Sequence, residues 1–156
     1  MNDYLERLPF RLGDVLVRDG AEEAWLAGAT VFEEDAPVAV LFRAPASGRD
    51  CAVYVRVVAP FESVWLGPCK KERGVFEPPS SLEETGVLYR RTRRLPLRAS
   101  PIKGSELVFD IDGTVLLAEY RGPVVERLVR ISRGDDVWLF EGQVMGPGSY
   151  DRFPGR

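Results

Sequence analysis

Apolar and polar residues alternate with a period of two along most of this chain. From Cys51 to Val58, the side chains of Val53, Val55 and Val57 fall on one side and those of Tyr54 and Arg56 on the other. Such alternation, rich in β-branched residues, marks a half-buried strand. Val38, Val40 and Phe42 share a face in the run before it. The same pattern predicts strands at Asp14–Arg18, Ala24–Phe32 (bulged or kinked at Gly28), Ser63–Leu66, Val87–Leu95, Leu107–Ile111, Val115–Tyr120, Glu126–Ser132 and Val137–Phe140. Turn residues separate them, among them Asp19-Gly20, Glu33-Glu34-Asp35 before Pro37, Pro45-Ala46-Ser47-Gly48, and Gly134-Asp135-Asp136. Residues 3–8 are predicted to form one helical turn that Pro9 ends, and no long segment repeats with the helical period.

Residues 67–86 break the alternation with Pro68, Gly74, Pro78 and Pro79, and read as a long loop. Within it Ser81 and Glu84 have the spacing of a capping box over one helical turn. The tail from Met145 to Gly155 reads as irregular. Short strands at regular spacing predict a mostly β, antiparallel meander closed as a barrel or a sandwich. It is expected to form a single domain over residues 1–156, with an irregular central segment at 67–104. Trp25 to Val58 and Leu117 to Val144 each read as three successive strands, so two similar units joined by a long loop are expected. Trp25, Trp65 and Trp138 all lie in apolar runs and are expected in the core.

Composition narrows the chemistry. The chain has no histidine, which excludes Ser-His-Asp and Cys-His catalysis and any His-ligated metal. Cys51 and Cys69 form no paired-thiol metal motif and read as reduced, partly buried thiols. No cofactor is expected. A length of 156 residues is enough to bury a core without a disulfide or metal. The net charge of −3 argues against general nucleic-acid binding, and no apolar run approaches a membrane helix. Met1 to Arg7 lacks the basic-then-apolar order of a signal peptide, which makes a cytoplasmic location the expectation.

One stretch carries two incompatible readings. Leu107 to Leu117 contains Asp110-Ile111-Asp112-Gly113-Thr114 after an apolar run, and resembles the first signature of haloacid-dehalogenase-type phosphatases. That resemblance implies a Mg²⁺-dependent phosphohydrolase with Asp110 as nucleophile, Asp112 as acid/base and Thr114 in support. It also implies a parallel α/β sheet, built from crossovers of a dozen or more residues. After Thr114 the chain has no lysine and no amphipathic helix. A β-hairpin with Asp112-Gly113 as a type I′ turn explains the same letters more simply.

The only lysines are Lys70, Lys71 and Lys103, so arginine dominates the 21 basic residues. Arg90, Arg91, Arg93 and Arg94, with Arg98 beyond, are the main cluster. Both faces of a strand cannot bury such charges, so an edge or protruding strand is expected, with Arg91 and Arg93 on one face and Arg90 and Arg94 on the other. The cluster either pairs with the protein's own carboxylates or binds a protein or anionic ligand. No RNA-binding aromatic motif accompanies it.

The C-terminal third has a cadence of its own. It runs Ala118-Glu119-Tyr120-Arg121-Gly122-Pro123, Glu126-Arg127-Leu128-Val129, Leu139-Phe140-Glu141-Gly142 and Phe153-Pro154-Gly155, with Leu12-Gly13-Asp14-Val15-Leu16 and Trp25-Leu26 near the start. It resembles a bacterial β-rich family known as domain of unknown function 4178. The resemblance implies a small β-rich accessory protein without assigned catalytic residues, acting near membrane-associated partners. The functional expectation is a non-catalytic interaction module using Arg90, Arg91, Arg93 and Arg94.

Overall fold

The computed structural model describes residues 3–18, 22–146 and 148–155. The turn expected at Asp19-Gly20 lies outside them. Among the described residues, a short helix α1 (Asp3–Arg7) precedes thirteen strands. They are β1 (Val15–Arg18), β2 (Glu22–Trp25), β3 (Gly28–Glu33), β4 (Pro37–Ala46), β5 (Arg49–Arg56), β6 (Glu62–Leu66), β7 (Lys70–Arg73), β8 (Ser81–Glu84), β9 (Val87–Pro101), β10 (Gly113–Arg121), β11 (Glu126–Arg133), β12 (Asp136–Val144) and β13 (Tyr150–Phe153).

Eight of these close into an antiparallel barrel. Two meanders build it, β3-β4-β5-β6 and β9-β10-β11-β12. They join at two seams, Leu66↔Gly142 between β6 and β12 and Phe32↔Ala99 between β3 and β9. Two four-strand meanders thus stand where two three-strand units were expected, and the barrel alternative holds over the sandwich. At the β6–β12 seam, a Cβ on Gly142 would lie 1.6 Å from the Trp65 carbonyl oxygen. Only glycine lets the two backbones approach this closely.

Alternation sorts side chains into three cores. The barrel interior takes Phe32, Leu41, Tyr54, Val64, Leu97, Leu117, Ile131, Trp138 and Phe140, with contributions from all eight strands. The outer face of the first meander packs under α1, β1, β2 and the C-terminal segment through Phe10, Leu16, Val40, Phe42, Val53 and Trp65. The outer face of the second meander is smaller, with Tyr89, Tyr120, Leu128 and Leu139 packed against Leu82 of β8. The filled interior makes this a packed barrel.

Several expectations are corrected. Ser81 to Glu84 is a strand paired with β9, so the capping-box spacing does not make a helix there. β9 runs on to Pro101, so the irregular central segment is shorter than 67–104. Tyr150 to Phe153 pairs with β1. Trp25 is 53% exposed, whereas Trp65 and Trp138 are buried as expected.

The largest correction concerns the hairpin. Leu107 to Ile111 is not a strand. The chain reverses at Phe109-Asp110, both with positive φ (55° and 60°), and the Ile111 N–H donates to the Val108 carbonyl at 3.0 Å. That is the backbone of a type I′ turn, placed three residues earlier than the Asp112-Gly113 expectation. Asp112-Gly113 instead leads into β10, with Gly113 at φ 77°.

Candidate functional site

The two ends of the barrel are closed by different chemistry. At the end where β4 runs into β5, the segment 105–112 folds back as a plug. Val108 and Ile111 are fully buried, and Ile111 joins the interior core. Phe109 packs edge-on against Phe140 with ring centres 5.1 Å apart, and its carbonyl accepts the Trp138 indole N–H at 2.9 Å. These contacts hold a Phe in the left-handed region, where a bulky residue is strained by about 1–3 kcal/mol. The apolar letters around Asp110 are thus barrel filling.

The carboxylates of the phosphatase-like motif serve this plug. Asp112 accepts a bond from Arg133 at 2.7 Å, and the same guanidinium donates to the Asp112 carbonyl at 3.0 Å. Arg133 and Lys71 stack over Trp138. Asp110 lies at a shallow depression of about 240 Å³ with Asp50, Cys69 and Lys71. Burial pushes the Cys69 thiol up to about 12, which keeps it an un-ionised thiol at neutral pH. Among the described residues, no cluster of three or more acidic or thiol groups suits a metal ion. The sheet is antiparallel throughout, so the parallel α/β frame required by the phosphatase reading is not this fold.

The opposite end is a mouth built from charged residues. Tyr54 and Arg56 of β5 point inward and both donate to the Glu119 carboxylate of β10, which is only 5% exposed. Arg56 also donates to the Pro60 carbonyl at 2.7 Å. Burial, followed by the adjacent Glu119 charge, drives the Tyr54 phenol well above its ordinary value. Beside this network, Arg127 holds Glu62 through two bonds of 3.1 and 3.2 Å, and Arg121 approaches the same carboxylate at 3.6 Å.

The arginines of β9 divide around a bulge. Glu119 pairs with Arg93 and Tyr120 pairs with Arg91, leaving Thr92 as an extra residue. The extra residue reverses which face each later side chain takes. Leu97 and Ala99 belong to the barrel interior, whereas Tyr89 belongs to the outer core, although all three have odd numbers. Arg93 therefore faces inward beside Leu95, close enough that its charge acts on the Tyr54 phenol. Arg90 pairs with Arg121, which continues the inward row of Val115, Leu117 and Glu119. Direct partners in a sheet share a face.

Arg91 and Arg94 take the outer face together. Arg94 grips Glu77 through two bonds and lowers that carboxyl below its ordinary value. Arg91 lies 3.9 Å from Glu77 and donates to the Pro78 carbonyl at 2.7 Å. The expected grouping of Arg91 with Arg93 and Arg90 with Arg94 is thus reversed by a bulge that residue alternation does not reveal. Arg90 and Arg93 have no carboxylate partner among the described residues, although Arg56, Arg121 and Arg127 beside them do.

Comparison with family models, curated proteins and solved structures finds no match to this chain. No helix among the described residues is long and apolar enough to cross a membrane.

Proposed function

We propose that this protein is a non-catalytic interaction module that captures an anionic group of a partner at the charged mouth of its barrel. The observation that carries this reading is the division of the β9 arginines. Glu77 is held by Arg94 through two bonds and lies 3.9 Å from Arg91, while Arg90 and Arg93, paired in register with Arg121 and Glu119, have no carboxylate partner among the described residues. Cations gathered without matching carboxylates raise the local concentration of anions even on an acidic protein. The packed interior supports a surface-binding role.

Titration with a soluble poly-glutamate peptide, followed by calorimetry, tests this reading. Wild type is expected to bind, with affinity falling as salt rises. Arg90→Gln with Arg93→Gln is expected to remove most of the binding, and Arg91→Gln with Arg94→Gln to leave it nearly intact. No binding by wild type, or equal loss in both pairs, would overturn the assignment.

A further inference from the structure

The stretch of β9 that carries Arg93 is an open strand edge. β8 pairs with β9 as far as Arg90, and β3 pairs with it from Arg98. Between them, residues 92–97 have β10 on one side and no strand on the other among the described residues. Along the inward row, exposure rises from the β3 end of the gap toward Arg93. Leu97 and Ala99 are nearly fully buried, whereas Leu95 and Arg93 on the same inward row are only half-buried. Pro96, which has no N–H to give a ladder, also lies in this stretch, as prolines in sheets do at edges.

This opening adjoins the incomplete half of the mouth. Glu119 is held by Arg56 and Tyr54, and Glu62 by Arg127 and Arg121. Arg90 and Arg93 form a third cationic position of similar chemistry and lack the carboxylate among the described residues. A free anion would satisfy the arginines and leave the strand edge unpaired. An extended acidic segment would satisfy both, because a strand laid along residues 92–97 spans about 20 Å and alternates its side chains toward the mouth and the solvent.

We infer that the partner group is an extended, acidic segment of another protein, which adds as a strand to the open edge of β9 and places a carboxylate between Arg90 and Arg93. The inference rests on the anion-capturing reading above and adds backbone pairing to it. The edge itself disfavours indiscriminate pairing. Pro96 withholds one donor, and the arginines repel a second β9 edge approaching from another copy.

The full chain, isotopically labelled, is titrated with three probes: a short peptide of alternating Val and Glu, the same peptide N-methylated at alternate positions, and citrate. The unmodified peptide is expected to slow amide exchange in residues 92–95 and to bind at least about tenfold tighter than the methylated one, which has lost its ladder donors. Arg93→Gln is expected to weaken it about tenfold. If the methylated peptide and citrate shift Arg90 and Arg93 as strongly as the unmodified peptide does, the site takes anions without strand addition. The inference then fails while the anion reading stands. If no probe shifts Arg90 or Arg93, both fail. If the Arg93 variant melts early, Arg90→Gln gives the same comparison on an exposed residue.

Discussion

One end of this barrel is closed by apolar side chains from a single loop, and the other by guanidinium and carboxylate groups from several strands. At the plugged end, Ile111, Val108 and Phe109 fill space, and hydrogen bonds from Trp138 and, at the rim, from Arg133 fix the loop. At the mouth, Arg56, Tyr54 and Glu119 satisfy one another in a site where an unpaired charge would be costly. Packing tolerates approximate fit, whereas a buried ionic network must be complete. The plug therefore contributes stability locally. The mouth ties β5, β6, β10 and β11 together and leaves Arg90 and Arg93, on the same inward row, without a carboxylate partner among the described residues.

The largest expected effect lies at the mouth. Arg56→Met removes one partner and strands Glu119 as a buried charge, which costs about 3–5 kcal/mol. Chemical denaturation measures this loss, and a variant within ~1 kcal/mol of wild type would show that the network carries little of the fold. Ile111→Ala should cost about 2–5 kcal/mol as a cavity effect at the plugged end. Its loss should change little with salt, because no charge is uncovered.

A pH measurement separates the ends further. The Tyr54 phenol has a folded value raised well above 10.0. Its stabilisation is therefore fully present below about pH 10 and is lost as pH rises toward the folded value. Tyr54→Phe should reduce the alkaline loss of stability, whereas Ile111→Ala should leave its slope unchanged. Equal slopes for Tyr54→Phe and wild type would remove Tyr54 as a contributor. The smallest effect belongs to Asp110→Asn. This exposed turn residue has positive φ, which Asn tolerates as well as Asp does, so the change should stay within about 0.5 kcal/mol. Loss of a robust Mg²⁺-dependent phosphatase turnover in this variant would reverse the structural reading of the motif.

Residue alternation made much of this barrel legible. The runs of β4, β5, β10, β11 and β12 mark the strands, but not which face is interior: the valine face of β5 (Val53, Val55) packs in the outer core with Val40 and Phe42, while Ala52 and Tyr54 line the barrel with Leu41. The plug was not legible. Leu107 to Ile111 has the apolar content of a strand, and only tertiary contacts with Phe140 and Trp138 make it a cap. The mouth was half legible. The β9 cluster is plain in the sequence, but the bulge at Thr92 is not, and the division of its arginines depends on that bulge. Glu119, Arg56 and Glu62 gave no signal because their partners are distant in sequence and meet only when the barrel closes.

The central claim is that the bulge leaves Arg90 and Arg93 without a carboxylate partner among the described residues while Arg94 is engaged by Glu77. Hydrogen exchange at the arginine Nε–H groups, followed by NMR before and after adding the alternating Val and Glu peptide, tests it most directly. In the free protein, Arg56, Arg94 and Arg127 should exchange slowly, because each donates its Nε–H to a carboxylate. Arg90 and Arg93 should exchange fast and become protected when the peptide binds. Slow exchange at Arg90 and Arg93 in the free protein, or a peptide response centred on Arg94, would contradict the account.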